Sequence, residues 1–346
     1  MKNDSILFLS LRQINTGRVL RDDLPMRYIL ACHFLHCGIV DRTRTLDQGF
    51  EYSVLDPMPR WYSNAFSFQD LCEARGAEIV GEAVDSERII RVLWSGGIDS
   101  TAAFIAISKA AEKVNWTRRI QVLLSKESIN EYPVFYDRYI QGKYPEIPVT
   151  PPIAECLDPA CINVTGEHGD QLFGSLLLDP LVRAGIAEEP YEDVLPEIMI
   201  KQFANNIRAE RLLSYLEPLI AAAPVPIRTL FDYLWWLNFS LKWQTVTLRL
   251  IALGNKPPLR LYRSLWHFFR TEPFQQWSFS FHPRRVPLTW ERYKEVAKEY
   301  IRAYTGDEEY FLHKEKEPSL GRVMRRPDHA SVMPALIRGD FTIVGR

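Results

Sequence analysis

Three short apolar runs in the first half of the chain are separated by stretches with helical spacing. Ile89-Ile-Arg-Val-Leu-Trp94, Arg119-Ile-Gln-Val-Leu-Leu-Ser125 and Cys161-Ile-Asn-Val164 are short and rich in branched residues, which is the pattern of strands buried on both faces. Ala102 to Glu112 carries apolar residues at the spacing of an amphipathic helix, and Ile129 to Lys143 reads as an aromatic-rich helix. Prolines 145, 148, 151 and 152 interrupt the chain before the third run. Strand, helix, strand, helix and strand in succession predict an α/β fold: a parallel sheet with right-handed crossovers, flanked by helices. Ligands of such sheets bind at the carboxyl ends of the strands.

The flanking pattern divides the chain into three expected segments. Residues 1–86 read as a small N-terminal domain: alternation over Ser5–Leu11 predicts a strand, Leu30 to Val40 is apolar without a decided type, and Trp61, Tyr62, Phe66 and Phe68 lead from a packed loop into a helix over Phe68–Glu82. Residues 87–190 hold the α/β core. Residues 191–346 read as mostly helical, with a helix over Glu197–Leu216 and further helices over Trp266–Trp277 and Lys294–Tyr304. Phe231, Trp235, Trp236, Phe239 and Trp243 recur near helical spacing and are expected to be core. Phe341–Val344 is either a terminal strand or a tail.

Composition narrows the partners. The 346 residues carry 42 basic and 43 acidic side chains, a net charge of −1, so bulk attraction to nucleic acid or to an anionic membrane is not expected. No apolar run approaches the roughly 18 to 20 residues of a membrane helix, and the N-terminal apolar run is too short for a signal peptide. Five cysteines, an odd number, are expected to be reduced thiols in a cytoplasmic protein. Cys32 and Cys37, with His33 and His36 between them, and the pair Cys156 and Cys161 lack the tight spacing of zinc sites, so buried thiols are expected instead.

The chemistry concentrates after the first and third runs. Ser95-Gly96-Gly97-Ile98-Asp99-Ser100-Thr101 joins the first strand to its helix. Glycine lets backbone N–H groups approach an anion, and the start of the helix adds its positive end. The hydroxyls of Ser95, Ser100 and Thr101 add donors, and Asp99 adds a carboxylate for a phosphate-bound magnesium ion. The Walker spacing and its lysine are absent. After the third run, Val164-Thr165-Gly166-Glu167-His168-Gly169-Asp170-Gln171-Leu172-Phe173-Gly174 repeats the arrangement of strand, glycine turn, acidic side chains and helix start. Asp99 and Asp170, at neighbouring strand ends, are candidates to share one or two magnesium ions.

Ser95-Gly-Gly-Ile-Asp-Ser100 resembles the signature of the N-type ATP pyrophosphatases, the PP-loop family, which includes asparagine synthetase, β-lactam synthetase, GMP synthetase and several tRNA-modifying enzymes. Gly166 to Gly174 resembles the Gly-Glu-Gly-Ala-Asp-Glu-x-Phe-Gly-Gly segment of the asparagine synthetase branch, departing from it at His168, Gln171 and Ser175. The resemblance implies an adenine nucleotide alpha hydrolase-like fold that binds ATP and Mg2+. It implies pyrophosphate held by Ser95, Gly96, Gly97, Ser100 and Thr101, metal held by Asp99 and Asp170, and Glu167 as a catalytic-site glutamate. Thr165 and Gly166 would line the adenosine, and Leu93 and Leu123 complete the expected nucleotide contacts. His313-Lys314-Glu315-Lys316-Glu317-Pro318-Ser319-Leu320-Gly321 faintly resembles the family's Lys-Glu-x-Phe-Ser-x-Gly segment, which makes Lys316 the expected catalytic lysine and Lys314 the second choice.

The expected reaction is an ATP-dependent synthesis. A substrate carboxylate or carbonyl oxygen attacks the α-phosphate and releases pyrophosphate; ammonia or an amine then displaces AMP to form an amide-type C–N bond. Asparagine synthetases carry a glutaminase with an N-terminal cysteine ahead of the PP-loop, whereas residue 2 here is Lys2 and the segment is short, so the nitrogen is expected as free ammonia, a substrate amine, or ammonia from a partner protein. The Arg-x-Pro-Phe-Leu-Asp block of asparagine synthetases is absent. Two alternatives stay open: adenylation of a nucleobase or tRNA, and an ATP-binding module of a larger assembly that has lost its chemistry.

Overall fold

The computed structural model describes residues 6–19, 22–62, 66–150, 152–174, 176–252, 256, 258–280, 287 and 289–315. They fall into two compact units, each built from separate stretches of chain: among the described residues one takes in those up to Trp61 and from Gly174 to Ala252, the other those from Tyr62 to Phe173 and from 256 to 315. The stretch expected as an N-terminal domain thus contributes to both, and its helix Phe68–Asp85 belongs to the second unit.

The second unit holds the predicted parallel sheet. Its strands are β1 (Ile90–Leu93), β2 (Ile120–Leu124), β3 (Glu146–Pro148), β4 (Ile162–Thr165) and β5 (Leu265–His267), in the order β3-β2-β1-β4-β5, all parallel. All four residues of β4 are buried, as a strand covered on both faces requires. The chain builds outward from β1 to β3 and then returns to the other side of β1 to form β4. That reversal separates the connections leaving β1 and β4 and opens a crevice between their carboxyl ends.

Helix packing places the turns over this crevice. Helix α1 (Phe68–Asp85) starts at a capping box, with Ser67 and Asp70 exchanging side-chain to backbone hydrogen bonds. Helix α2 (Ile98–Lys113) crosses it closely: a Cβ on Gly76 would stand 2.4 Å from the Ala106 carbonyl oxygen. Small residues suit α2 to this position, since Ala102, Ala103, Ala106 and Ala111 are all buried. Helix α3 (Glu295–Thr305) packs on α2 as well.

The first unit is helical, and its core is the aromatic stripe. Phe231, Trp235, Trp236, Phe239 and Trp243 are all buried, with Trp236 and Phe239 stacked at 6.1 Å between centroids. The Arg42 guanidinium lies 4.3 Å from the centroid of Trp243 and donates to the carbonyls of Asp56, Pro57 and Phe239. The Gln244 amide donates to the carbonyls of Leu7 and Ser53 and accepts from Leu55 N–H, which ties down irregular backbone.

Several local expectations are corrected. The strand over Ser5–Leu11 does not form: Ile6 makes a single bridge to Tyr52, and a short helix begins at Leu11. The apolar stretch from Leu30 lies largely in a helix, Met26–Leu35. The helix over Ile129–Lys143 is broken at Pro133 into Lys126–Glu131 and shorter turns, because proline has no N–H to continue the ladder. The Glu197–Leu216 helix is two, Tyr191–Phe203 and Asn206–Ala221, parted at Ala204 with φ +49°. Two edge strands were hidden. β3 ends in proline, which only a sheet edge tolerates, and β5 occupies the start of the stretch expected to be helix from Trp266. The five cysteines are free thiols, with Cys32, Cys72 and Cys161 buried. Among the described residues no helix is long and apolar enough to cross a membrane.

Candidate functional site

The turn after β1 is a closed hydrogen-bond circuit. The Ser95 N–H donates to Ser100 Oγ at 3.0 Å, the two serine hydroxyls are 2.9 Å apart, Gly97 N–H donates to Ser95 Oγ, and Ser100 Oγ donates to the Gly97 carbonyl. Gly96 has φ +77°, and a Cβ there would lie 2.3 Å from the Ser128 carbonyl oxygen. Both conformation and space therefore require glycine at this position. Gly97 caps α2, which leaves the positive end of that helix without a side-chain cap. Thr101 turns away: its hydroxyl accepts from the Trp94 indole N–H at 3.1 Å in the core.

The turn after β4 packs directly on this one. A Cβ on Gly166 would lie 2.6 Å from Ser100 N and 2.8 Å from the Asp99 carbonyl carbon, and one on Gly169 would lie 2.3 Å from Asp99 Oδ1. The glycines thus let two backbones touch. Glu167 and His168 between them are buried, and Glu167 N–H donates to Thr165 Oγ1. Thr165 Oγ1 also meets His267 Nδ1 of β5 at 2.7 Å, and the His168 and His267 rings are 5.0 Å apart.

The two candidate metal carboxylates converge on a lysine. Lys294 Nζ lies 2.5 Å from Asp99 Oδ2 and 2.6 Å from Asp170 Oδ1, and its side chain has no exposed surface. It is the residue just before α3, at φ +59°, and Tyr293 beside it stacks on Trp290 at 4.4 Å. The Phe173 and Tyr293 rings flank the ammonium. Burial, and then Asp170 and Asp99, raise the Tyr293 phenol well above its ordinary range, so it stays neutral.

Leu93 and Leu123 line one pocket at the carboxyl ends of β1 and β2, with Trp94, Ser95, Val149 and Ile153. Its cavity volume is about 40 Å3 and its walls are mostly apolar, so as it stands it is smaller than an ordinary ligand pocket. Lys316 and Ser175 lie outside the described residues. Lys314, the second choice, is nearly buried and pairs with Glu131 at 3.2 Å, on the helix against which Gly96 packs.

The residue that the sequence reading missed is Lys294, which was placed as an ordinary first residue of a helix. One signal was present. A lysine immediately before a helix opposes the helix dipole and takes a position that favours Ser, Thr, Asp or Asn. Its partners lie 195 and 124 residues away, beyond any local pattern.

No protein-family model matches the chain, and no curated protein does either.

Proposed function

We propose that the chain is an ATP-using synthetase of the AMP-forming kind, which activates a carboxylate or carbonyl oxygen and passes the activated carbon to ammonia or an amine. The observation that carries the reading is the convergence of Asp99 and Asp170, from two different strand ends, on one cation beside a glycine turn and the start of α2.

The residues fit a divalent cation. Asp99 Oδ2 and Asp170 Oδ1 face a single point, and two carboxylates are the usual protein share of a magnesium site completed by water and phosphate oxygens. Bound there, Mg2+ would neutralise charge developing on the phosphates. Among the described residues no group of three or more His, Cys, Asp and Glu is placed to hold a metal, so the pair alone would be its protein anchor.

The chain's own groups do the rest. N–H groups at the start of α2 bind the departing pyrophosphate, because they are oriented before it forms and need no reorganisation. Lys294 supplies the positive charge expected of a catalytic lysine. Glu167, buried beside the crevice, takes a proton from the attacking amine. The acceptor oxygen attacks the α-phosphate, the bond to the β-phosphate breaks, and the amine later replaces AMP at carbon.

The test is ATP labelled in its α-phosphate, incubated with the protein, Mg2+ and cell extract. Labelled AMP is expected, and Asp99→Asn should reduce its formation at least about 100-fold, as loss of a charge-stabilising group does. Labelled ADP as the product, or AMP formation unchanged in Asp99→Asn, overturns the proposal.

A further inference from the structure

Lys294 stands where the metal would stand. A magnesium ion held by Asp99 and Asp170 needs an oxygen of each at about 2.1 Å. The ammonium nitrogen, 2.5 and 2.6 Å from those same two oxygens, fills that point. Two cations cannot share it, since at such separation their repulsion exceeds what two carboxylates offset.

The surroundings make this a built position. The lysine side chain is wholly buried, its backbone is held at φ +59°, and the residue before it is locked by the Trp290 stack. Gly169 brings its backbone close against the Asp99 carboxylate, where a Cβ would lie 2.3 Å from Oδ1. One ammonium leaves this pair a net negative charge, which still favours a divalent ion once another acceptor takes the lysine.

We infer that Lys294 and the divalent metal are alternative occupants of the Asp99–Asp170 pair, so that metal enters with nucleotide, whose phosphates receive the displaced ammonium. The inference rests on the reading that these carboxylates hold the metal. Lys294 thereby guards the pair against free metal and becomes a phosphate ligand only when there is a phosphate to bind. Without nucleotide, the exchange is unfavourable because it takes the buried ammonium from the two carboxylates that it pairs with among the described residues.

The test uses Mn2+ alone, followed by electron paramagnetic resonance, on the full chain without nucleotide. Lys294→Met should bind one Mn2+ at least about ten-fold more tightly than the parent, and adding Asp170→Asn should abolish the gain. Equal affinity in parent and variant overturns the inference, as does a folded Lys294→Met with no bound Mn2+. If Lys294→Met does not fold, thermal melting of the parent decides: Mn2+ with an uncleavable ATP analogue should raise the melting temperature by more than the analogue and Mn2+ do separately. An equal rise from Mn2+ alone overturns the exchange. AMP formation by the parent is scored separately, so the synthetase reading can fail or stand independently of this result.

Discussion

The turns after β1 and β4 occupy equivalent places at adjacent strand ends, yet they are built in different ways. The first turn satisfies itself: its serines bond one another and its backbone, and Gly96 supplies the left-handed residue. The second is satisfied from outside, through Thr165 to His267 on a neighbouring strand, and its left-handed residue is His168 at φ +74°. Glycine takes such a φ freely, whereas a histidine there is uncommon and strained. The geometry of the first turn is therefore set by its own residues, whereas that of the second depends on a side chain from another strand.

The largest effect expected from breaking this comparison lies with the glycines. Gly96→Ala and Gly166→Ala should each cost about 3 kcal/mol, since each new Cβ meets backbone that cannot move aside cheaply. Gly169→Ala should cost less, because its neighbour is the Asp99 carboxylate, which can rotate. Urea denaturation measures all three, and a Gly166→Ala variant as stable as the parent would separate the two turns that the structure holds in contact.

Smaller effects should distinguish the two ways of satisfying polar groups. Thr165→Val leaves both the buried Glu167 N–H and His267 Nδ1 without the hydroxyl and should cost about 2 kcal/mol; Ser100→Ala takes the hydroxyl from Ser95 N–H, Ser95 Oγ and the Gly97 carbonyl, but Ser95 and Gly97 are half-buried and water can replace it, so it should cost about 1 kcal/mol. The same denaturation series checks the order, and the reverse order would place the greater burden on the first turn.

The smallest effect concerns α3, which carries Lys294 at its start. Lys298 is buried and donates to the carbonyls of Glu291 and Lys314, and burial lowers its pKa from 10.5 to about 8. Between those values the unfolded chain binds more protons than the folded one, so stability due to this residue rises with pH. The stability difference between parent and Lys298→Met should shift toward the parent by about 1 kcal/mol from pH 7 to about pH 8.7. A difference independent of pH would mean that the ammonium is not desolvated.

Legibility followed the range of the interactions. β1, β2 and β4 were readable because central parallel strands are mostly apolar, each here with a single charged or amide residue (Arg91, Gln121 and Asn163), and the local cap of Ser67 and Asp70 starts α1 where a helix was expected. β3 and β5 were not, since three-residue edge strands are set by the neighbour that they pair with, and Pro148 argues locally against a strand. Pro133 was visible but its consequence for the Ile129–Lys143 helix was not drawn. That Ser95, Gly96, Asp99, Gly166 and Asp170 would lie together at neighbouring strand ends was legible because glycines and acids in strand-to-helix turns are constrained by short-range chemistry.

The amino-acid sequence by itself determined the α/β class, the two glycine turns and the two aspartates, because apolar runs and turn residues act over a few positions. The tertiary structure alone decided the strand order, which puts the two turns on either side of one crevice. It also directed Thr101 into the core and brought Lys294 between Asp99 and Asp170. Charge pairing acts through space, and residues 195 positions apart in the chain become neighbours only when the sheet has formed.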